Sequence, residues 1–202
     1  MARQAYDWLS LAPLFLDTET TGLDNTAKAL EIGLTDATGQ VVFETRLKPT
    51  VAIGAQAAAV HGISEQALCG APSWTDVARQ LRHAIGDRPV IIFNARFDIR
   101  ILKQTAAAHS DPADWLEELT VYCAMELAAG YYGGPPGIRK INHVKTAFYP
   151  NDFQESPRWR DNSGFGVLNR TILYILTREC TEVSQTVIGR SEHFVQPLRS
   201  VS

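Results

Sequence analysis

The first apolar segment of the chain, residues 14–17 (LFLD), lies between Pro13 and the Thr- and Gly-rich letters TETTG. A short apolar run with such neighbours is typical of a buried strand that ends in a loop. Residues 29–36 and 41–49 are two further strand-like runs separated by Gly39, a pattern that favours a hairpin. The chain is therefore expected to open with a three-stranded antiparallel meander.

After residue 60 the pattern alternates helices with strands. The predicted segments are a short helix capped by Ser64, a longer helix capped by Ser73 or Thr75 and ending at Gly86, a strand at 89–93, a helix at 97–108, a strand at 120–125 and a helix at 125–134. Further on, we expect a short helix at 141–149 and a final helix that begins near Gly166. This order predicts an α/β fold, a mixed five-stranded sheet flanked by helices.

Length and composition fit one globular domain. The chain has 202 residues, of which 45% are hydrophobic and 20% are charged, enough to bury a single core. We expect residues 1–185 to form the domain and residues 186–202 a C-terminal tail. The cysteines have no CxxC spacing, which argues against a zinc site or a disulfide framework, and we expect them to be buried.

Charge and the N-terminal segment bear on location and partners. The apolar run at 9–16 is interrupted by Pro13 and is too short for a signal peptide or a membrane span, so we expect a cytoplasmic protein with no membrane association.

The net charge is −3, and basic residues exceed acidic ones only after residue 138. That basic end would suit a surface facing phosphates, or it is scattered solvated charge.

Asp17 and Glu19 are the first candidates for chemistry. Alternate residues of a strand share a face, so both carboxylates would leave the same side of the strand and converge. Paired carboxylates suit Mg²⁺ or Mn²⁺. On its own, a D-x-E pattern more often marks two solvated carboxylates at a strand end.

Three motifs change that balance: FLDTETTGLD at 15–24, VHGIS at 60–64 and FNARFDIRIL at 93–102. In order and spacing they resemble the DnaQ-like 3′–5′ exonucleases of the DEDD superfamily. The resemblance implies a ribonuclease H-like fold in which Asp17, Glu19 and Asp98 bind Mg²⁺ or Mn²⁺. Two such ions would hydrolyse phosphodiester bonds at the 3′ end of DNA or RNA.

The same resemblance implies which residues contact the substrate, a single-stranded DNA or RNA 3′ end. They are Thr20, Thr21, Gly22, Leu23, Asn94 and Phe97, with Leu23 as an apolar wedge against the terminal base. For Phe97, ordinary core packing is an equally good interpretation. His61 in the second motif is expected to be structural.

The last motif of the family departs from its pattern. Where relatives carry H-x-A-x-x-D or Y-x-x-x-D, the helix at 163–176 reads SGFGVLNRTILYIL, which places Asn169 at the position of the last catalytic Asp. Gly164 or Phe165 then stands in place of the general base. Asn169 can offer only a neutral oxygen, which weakens the case for the second ion. The alternative is a catalytically weak or inactive protein that binds nucleic-acid ends or a protein partner. The sequence is compatible with a homodimer, and with either DNA or RNA as the substrate.

Overall fold

The computed structural model describes residues 2–131 of the chain. In chain order its elements are α1 (Ala2–Ser10), β1 (Leu14–Thr20), β2 (Ala29–Asp36), β3 (Val41–Arg46), α2 (Ala55–His61), a 3₁₀ turn (Glu65–Leu68), α3 (Trp74–Ile85), β4 (Val90–Ile92), α4 (Ala95–Ala107), a second 3₁₀ turn (Asp114–Leu116), β5 (Val121–Cys123) and α5 (Ala124–Tyr131). Strands and helices alternate from β3 onward, as the sequence predicts.

The strands form one five-stranded sheet in the order β3-β2-β1-β4-β5. The pairs β1–β2 and β2–β3 are antiparallel, which confirms the predicted meander. β4 and β5 run parallel to β1, since each is reached through a helical crossover that brings the chain back to the same edge. The predicted mixed five-stranded α/β sheet with flanking helices is therefore confirmed.

The two faces of the sheet pack against different helices. Leu14 and Leu16 lie on the face covered by α3 and α4, in a cluster with residues such as Trp74 and Ile101. Phe15 and Ile91 lie on the other face, in a cluster with Ala5 of α1 and Leu127 of α5. Alternation along β1 thus assigns odd and even residues to different sides.

β1 is longer than predicted, and this decides where the site lies. It continues to Thr20 rather than ending at Asp17. β4 stops at Ile92, which pairs with Leu16. Residues 17–20 therefore run beyond the end of β4, where α4 begins. The strand continues because its other neighbour, β2, still pairs with it as far as Thr20.

Two helices were not predicted from the pattern. α1 packs on the sheet through Ala5, Trp8 and Leu9, and Trp8 stacks on Tyr122 of β5 with ring centroids 4.6 Å apart. α2 has only seven residues. It ends at His61 and is capped by Gly62, whose φ of 70° places it in the left-handed region that favours glycine. Its alanine-rich sequence lacks the apolar periodicity by which helices are recognised.

The predicted helix caps are present. Ser73, not Thr75, caps α3 in a capping box with Asp76, and α3 is followed by Gly86. Ser64 Oγ accepts a hydrogen bond from the backbone N–H of Ala67, and the short helix that it caps is a 3₁₀ turn. Sequence chemistry at helix ends is local, which is why it can be predicted well.

The predicted burial of the cysteines is wrong for Cys69, which is exposed, whereas Cys123 is partly buried. Cys69 follows a 3₁₀ turn, and the loop there faces solvent. Along residues 2–131, none of the helices is long and apolar enough to cross a lipid bilayer. Cys180, the helices predicted at 141–149 and near Gly166, and the boundary at 185 lie outside the described residues.

Candidate active site

Asp17 and Glu19 lie on one face of β1, in the segment that extends past β4. In the antiparallel register Asp17 is opposite Gly33, and Glu19 is opposite Glu31 of β2. Asp17 is only 5% exposed, whereas Glu19 is partly buried. The prediction that both carboxylates leave the same face is consistent with this register, and a solvated carboxylate pair does not describe Asp17.

Asp98 reaches β1 from the first turn of α4. The carbonyl of Asn94 accepts hydrogen bonds from the N–H groups of Phe97 and Asp98, which starts the helix directly after β4. Thr18 Oγ1 then donates to Asp98 Oδ1 over 2.7 Å, within the buried core. The hydrogen bond fixes Asp98 against the side of β1 that faces α4.

The three carboxyl groups influence each other's protonation. Burial, followed by the charges of Asp98 and Glu19, raises the pKa of Asp17 well above its ordinary value. Burial and the Glu31 charge raise the pKa of Glu19 to about 7. Burial also raises the pKa of Asp98 to about 7, although the hydrogen bond from Thr18 opposes the shift. The site therefore concentrates acidic groups, and in the part of the chain that the structure describes no lysine or arginine forms an ion pair with Asp17, Glu19 or Asp98.

This donor set fits a divalent cation that keeps much of its water. Among residues 2–131, no group of three or more His, Cys, Asp or Glu side chains is close enough to form a closed metal cage. Mg²⁺ typically uses only one or two carboxylates together with water and substrate phosphates. Asp17 and Glu19 could supply those carboxylates. Asp98 lies on the α4 side of β1, and its direct contact with the ion stays a prediction.

The predicted substrate residues Thr20, Thr21, Gly22 and Leu23 form the turn after the acidic pair. Thr20 Oγ1 donates to the Gly22 carbonyl over 2.8 Å. Thr21 Oγ1 accepts from the N–H of Lys28 over 2.9 Å, which closes the base of the loop. Leu23 at its tip is 78% exposed, an unusual position for a large apolar side chain. It is free to contact a ligand.

Helix α4 holds this loop in place. Arg100 donates to the carbonyls of Leu23 and Asp24, over 3.1 and 2.9 Å. Gln104, one turn later, donates to the carbonyl of Ala27 over 2.8 Å. The helix that carries Asp98 is thereby joined to the loop that carries Leu23. The two parts of the candidate site are held together by hydrogen bonds, as one unit.

His61 supports the same loop from α2. Its Nδ1 accepts a hydrogen bond from the N–H of Ile63, so Nε2 must carry the proton that is donated to the Thr20 carbonyl over 3.2 Å. Burial lowers the pKa of His61, which favours this neutral form. Gly54 adds a further contact, since its N–H donates to the Thr21 carbonyl over 2.9 Å. These bonds agree with a structural role for His61.

Asn94 and Phe97 lie beside Asp98 and are both partly buried. Phe97 packs against the main core, and the Arg100 guanidinium lies 5.2 Å from its ring centroid. The structure thus shows a packing role for Phe97, while the contact with substrate stays a prediction. Asn169, predicted as the fourth residue of the catalytic set, lies outside the described residues, as do Gly164 and Phe165.

Two residues of this region were missed from the sequence. Val60, directly before His61, is 85% exposed on α2, on the helix that touches the Leu23 loop. The sequence feature that could have indicated Val60 is its apolar side chain inside the VHGIS motif. Glu31 is 2% exposed and lies opposite Glu19. The sequence feature that could have indicated Glu31 is an acidic residue within the apolar run ALEIGL, because a strand that is buried on both sides normally carries apolar residues.

Comparison with known proteins agrees with this geometry. The RNase_T family model, described as an exonuclease, matches residues 14–148 of the chain. The protein of Escherichia phage 186 named uncharacterized exonuclease CP81 is 37% identical over 139 residues, 67% of this chain and 71% of the phage protein. The DNA polymerase III epsilon subunit of Escherichia coli K12 is 32% identical over 96 residues, 43% of this chain. The chain spans only 40% of that subunit's length.

Solved structures show the same fold. Exonuclease X, in complex with 5′ overhanging duplex DNA, matches with a TM-score of 0.56 and 24% identity, over 85% of this chain and 92% of that one. A product-bound structure of exonuclease I matches with a TM-score of 0.57 and 16% identity, over 85% of this chain and 45% of that one. With the family model spanning most of the chain, the protein belongs to the RNase_T exonuclease family, which confirms the DnaQ-like resemblance.

Proposed function

We propose that the protein is a divalent-metal-dependent 3′–5′ exonuclease that removes nucleotides from the 3′ end of DNA or RNA. Membership of the exonuclease family supports nuclease activity. The observation that carries the proposal is the buried Asp17, beside Glu19, next to a loop that exposes Leu23. Among residues 2–131 no ion pair joins Asp17, Glu19 or Asp98 to a basic side chain, so these acidic groups call for a cation, and the exposed apolar tip calls for a partner surface.

In this proposal each residue has a distinct task. Asp17 and Glu19 hold Mg²⁺ or Mn²⁺, and Asp98 adds negative charge from the α4 side. An ion held there would supply Lewis-acid chemistry, which lowers the pKa of an attacking water and stabilises a leaving 3′ oxygen. Asn169 takes the fourth position in the catalytic set, where a neutral oxygen contributes less to a second ion than a carboxylate would.

The substrate contacts follow from the exposed surfaces around the loop. Leu23 and Val60 present apolar side chains on two adjacent segments, and a nucleobase is flat and apolar on both faces. Contact between a base and these aliphatic side chains would remove apolar surface from water, which favours binding. Thr20, Thr21, Gly22 and Asn94 would supply polar contacts to the terminal nucleotide.

The proposal favours DNA over RNA as the first substrate to test. Several relatives are DNA polymerase subunits, including the one from Escherichia coli. A single-stranded DNA oligonucleotide and its RNA counterpart should therefore be compared directly.

A direct test uses a single-stranded DNA oligonucleotide with a 5′ label, incubated with the protein and Mg²⁺ or Mn²⁺. We expect a ladder of products that shorten from the 3′ end, no products in EDTA, and protection by a phosphorothioate at the 3′ terminal linkage. Asp17→Asn should abolish the ladder, and Asp87→Asn, at an exposed position, should leave it unchanged. Release of a single labelled 5′ mononucleotide instead would show the opposite polarity.

The second candidate function is a binding protein that keeps the exonuclease fold and the Leu23 loop but does not cleave nucleic acid. It is favoured by Asn169 and Gly164, which replace an acid and a base in the last motif. This candidate predicts that the wild type binds the oligonucleotide in a way that depends on Leu23, yet produces no ladder with either metal. A ladder that Asp17→Asn abolishes would exclude it.

A further inference from the structure

Glu31 is a buried carboxylate that the predicted exonuclease motifs do not include. It lies on β2, opposite Glu19 in the antiparallel register, and Arg46 of β3 lies opposite Glu31. Residues that face each other across antiparallel strands have neighbouring side chains. Glu19, Glu31 and Arg46 therefore form a row across three strands, on the same face as Asp17.

The ion pair with Arg46 uses only one of the two Glu31 oxygens. Arg46 Nε contacts Oε2 over 2.8 Å, with Glu31 3% and Arg46 41% exposed at the side chain. Among the described residues, Oε1 of Glu31 is buried and has no hydrogen-bond partner. A buried acceptor without a donor is rare in folded proteins and calls for an explanation. The neighbour across the strand, Glu19, is a carboxylate and cannot donate in its ionised form.

A purely structural ion pair does not account for this arrangement. Two carboxylates directly opposite each other on a sheet repel, and burial strengthens the repulsion. A residue selected only for stability would carry an apolar side chain here, as the other face of the same hairpin does. Glu31 is instead a carboxylic side chain whose Oε1 has no hydrogen-bond partner among residues 2–131, near the two residues that would hold a cation.

We propose that Glu31 is a positioning residue of the active site, whose Oε1 accepts a hydrogen bond from a water molecule bound to the cation held by Asp17 and Glu19. The inference rests on the proposed metal-dependent function. Arg46 binds the other oxygen, Oε2, and fixes the carboxylate in this orientation. Outer partners of this kind orient the groups that contact a metal and strengthen its binding.

Glu31→Gln tests the proposal, because the amide preserves the size of the side chain. Its oxygen can still accept from Arg46, while its NH₂ group would take the place of Oε1 and donate to Glu19. The full chain, freed of metal with EDTA and then dialysed, is titrated with Mn²⁺ by calorimetry at pH 8. We expect the affinity to fall about tenfold, while the midpoint of thermal unfolding in EDTA rises by a few degrees.

The two readouts have opposite signs, which a structural role would not produce. Unchanged Mn²⁺ affinity in Glu31→Gln, with or without lower stability, would overturn the proposal and leave Glu31 as an ion-pair residue. Lower affinity together with lower stability in EDTA would also count against it, as a sign of a disrupted hairpin. Glu65→Gln, at an exposed position, should change neither quantity.

Glu31→Asp keeps the charge and should recover part of the affinity lost in Glu31→Gln. Equal affinities of the two variants would show that the charge of Glu31 does not act on the metal. The proposed function is tested separately by the wild type. A wild type that binds no Mn²⁺ removes both proposals, whereas wild-type binding that Glu31→Gln leaves intact removes only the role of Glu31.

Discussion

The hairpin of β1 and β2 buries both of its faces, but with opposite chemistry. On one face Leu14, Leu16, Ile32 and Leu34 are fully buried among the side chains of α3 and α4. The other face carries the apolar Phe15 and, further along the hairpin, the carboxyl groups of Asp17, Glu19 and Glu31. The same two strands therefore carry an apolar face and, on the reverse, an acidic face.

The acidic face opposes folding, and the apolar face supports it. Removing apolar surface from water stabilises the fold by about 25 cal/mol per Å². Removing a carboxylate from water destabilises its charged form, which is why the pKa of Asp17, of Glu19 and of Asp98 is raised. A fold keeps such a face only where another requirement maintains it, and here that requirement is the proposed binding of a cation.

The largest effect is expected on the apolar face. Leu16→Ala should lower the free energy of unfolding by about 2–5 kcal/mol, because it removes fully buried methyl groups and leaves a cavity. Urea denaturation measures the loss. Leu23→Ala removes the same atoms from an exposed leucine and should change stability by less than about 0.5 kcal/mol. Equal losses in the two variants would contradict the assignment of these faces.

A second change adds to the acidic side of the site. Asn169→Asp with Gly164→His would restore the acid and base that the family's last motif supplies, and single-strand cleavage should rise at least about 100-fold. A gel assay with Mn²⁺ measures the rate. If the double variant folds, binds Mn²⁺ and cleaves no faster than the wild type, then either the alignment of residues 163–176 is wrong or another residue already fills the role.

A third change removes charge from the site. The pKa of Asp98 is raised to about 7 in the folded protein. Between about pH 4 and pH 7 the folded protein therefore holds a proton that the unfolded chain has already released. Wild-type stability without metal therefore falls as pH rises through this window. Asp98→Asn lacks the effect, and its carbonyl can still accept from Thr18. At pH 8 in EDTA it should be more stable than the wild type by about 1–3 kcal/mol, after allowing for relaxation.

Urea denaturation at pH 4.5 and at pH 8 provides the control. The advantage of Asp98→Asn should be much smaller at the lower pH, because there Asp98 is protonated in the folded protein and no buried charge opposes folding. Asp87→Asn, at an exposed position, should show no such pH dependence. An advantage of the same size at both values would mean that packing, and not charge, is responsible.

The smallest effect concerns the loop that connects the two regions. Arg100→Ala removes the hydrogen bonds to the carbonyls of Leu23 and Asp24. The loop should then sample more conformations, and the affinity for a single-stranded oligonucleotide should fall several-fold, with about 1 kcal/mol or less lost in stability. Fluorescence anisotropy measures binding. Arg96→Ala, an exposed arginine of the same helix, is the control, and an equal loss there would point to overall charge instead.

The elements closest to the site show how far sequence patterns can go. The D-x-E pattern correctly placed Asp17 and Glu19 on one strand, since side-chain alternation is a property of the backbone alone. The end of β1 was placed three residues too early, because its length depends on pairing with β2. The face of β1 from which Asp98 approaches depends on α4, and no local pattern contains that information.

The sequence by itself determined the meander, the capped helices and the three motifs, because periodicity, turn residues and caps act between near neighbours in the chain. Only the tertiary structure decided that Glu31 lies opposite Glu19, that Thr18 holds Asp98 and that Arg100 fixes the Leu23 loop. These contacts join residues far apart in the sequence. They exist because strand register and helix docking, which the whole core sets, bring their side chains within reach of each other.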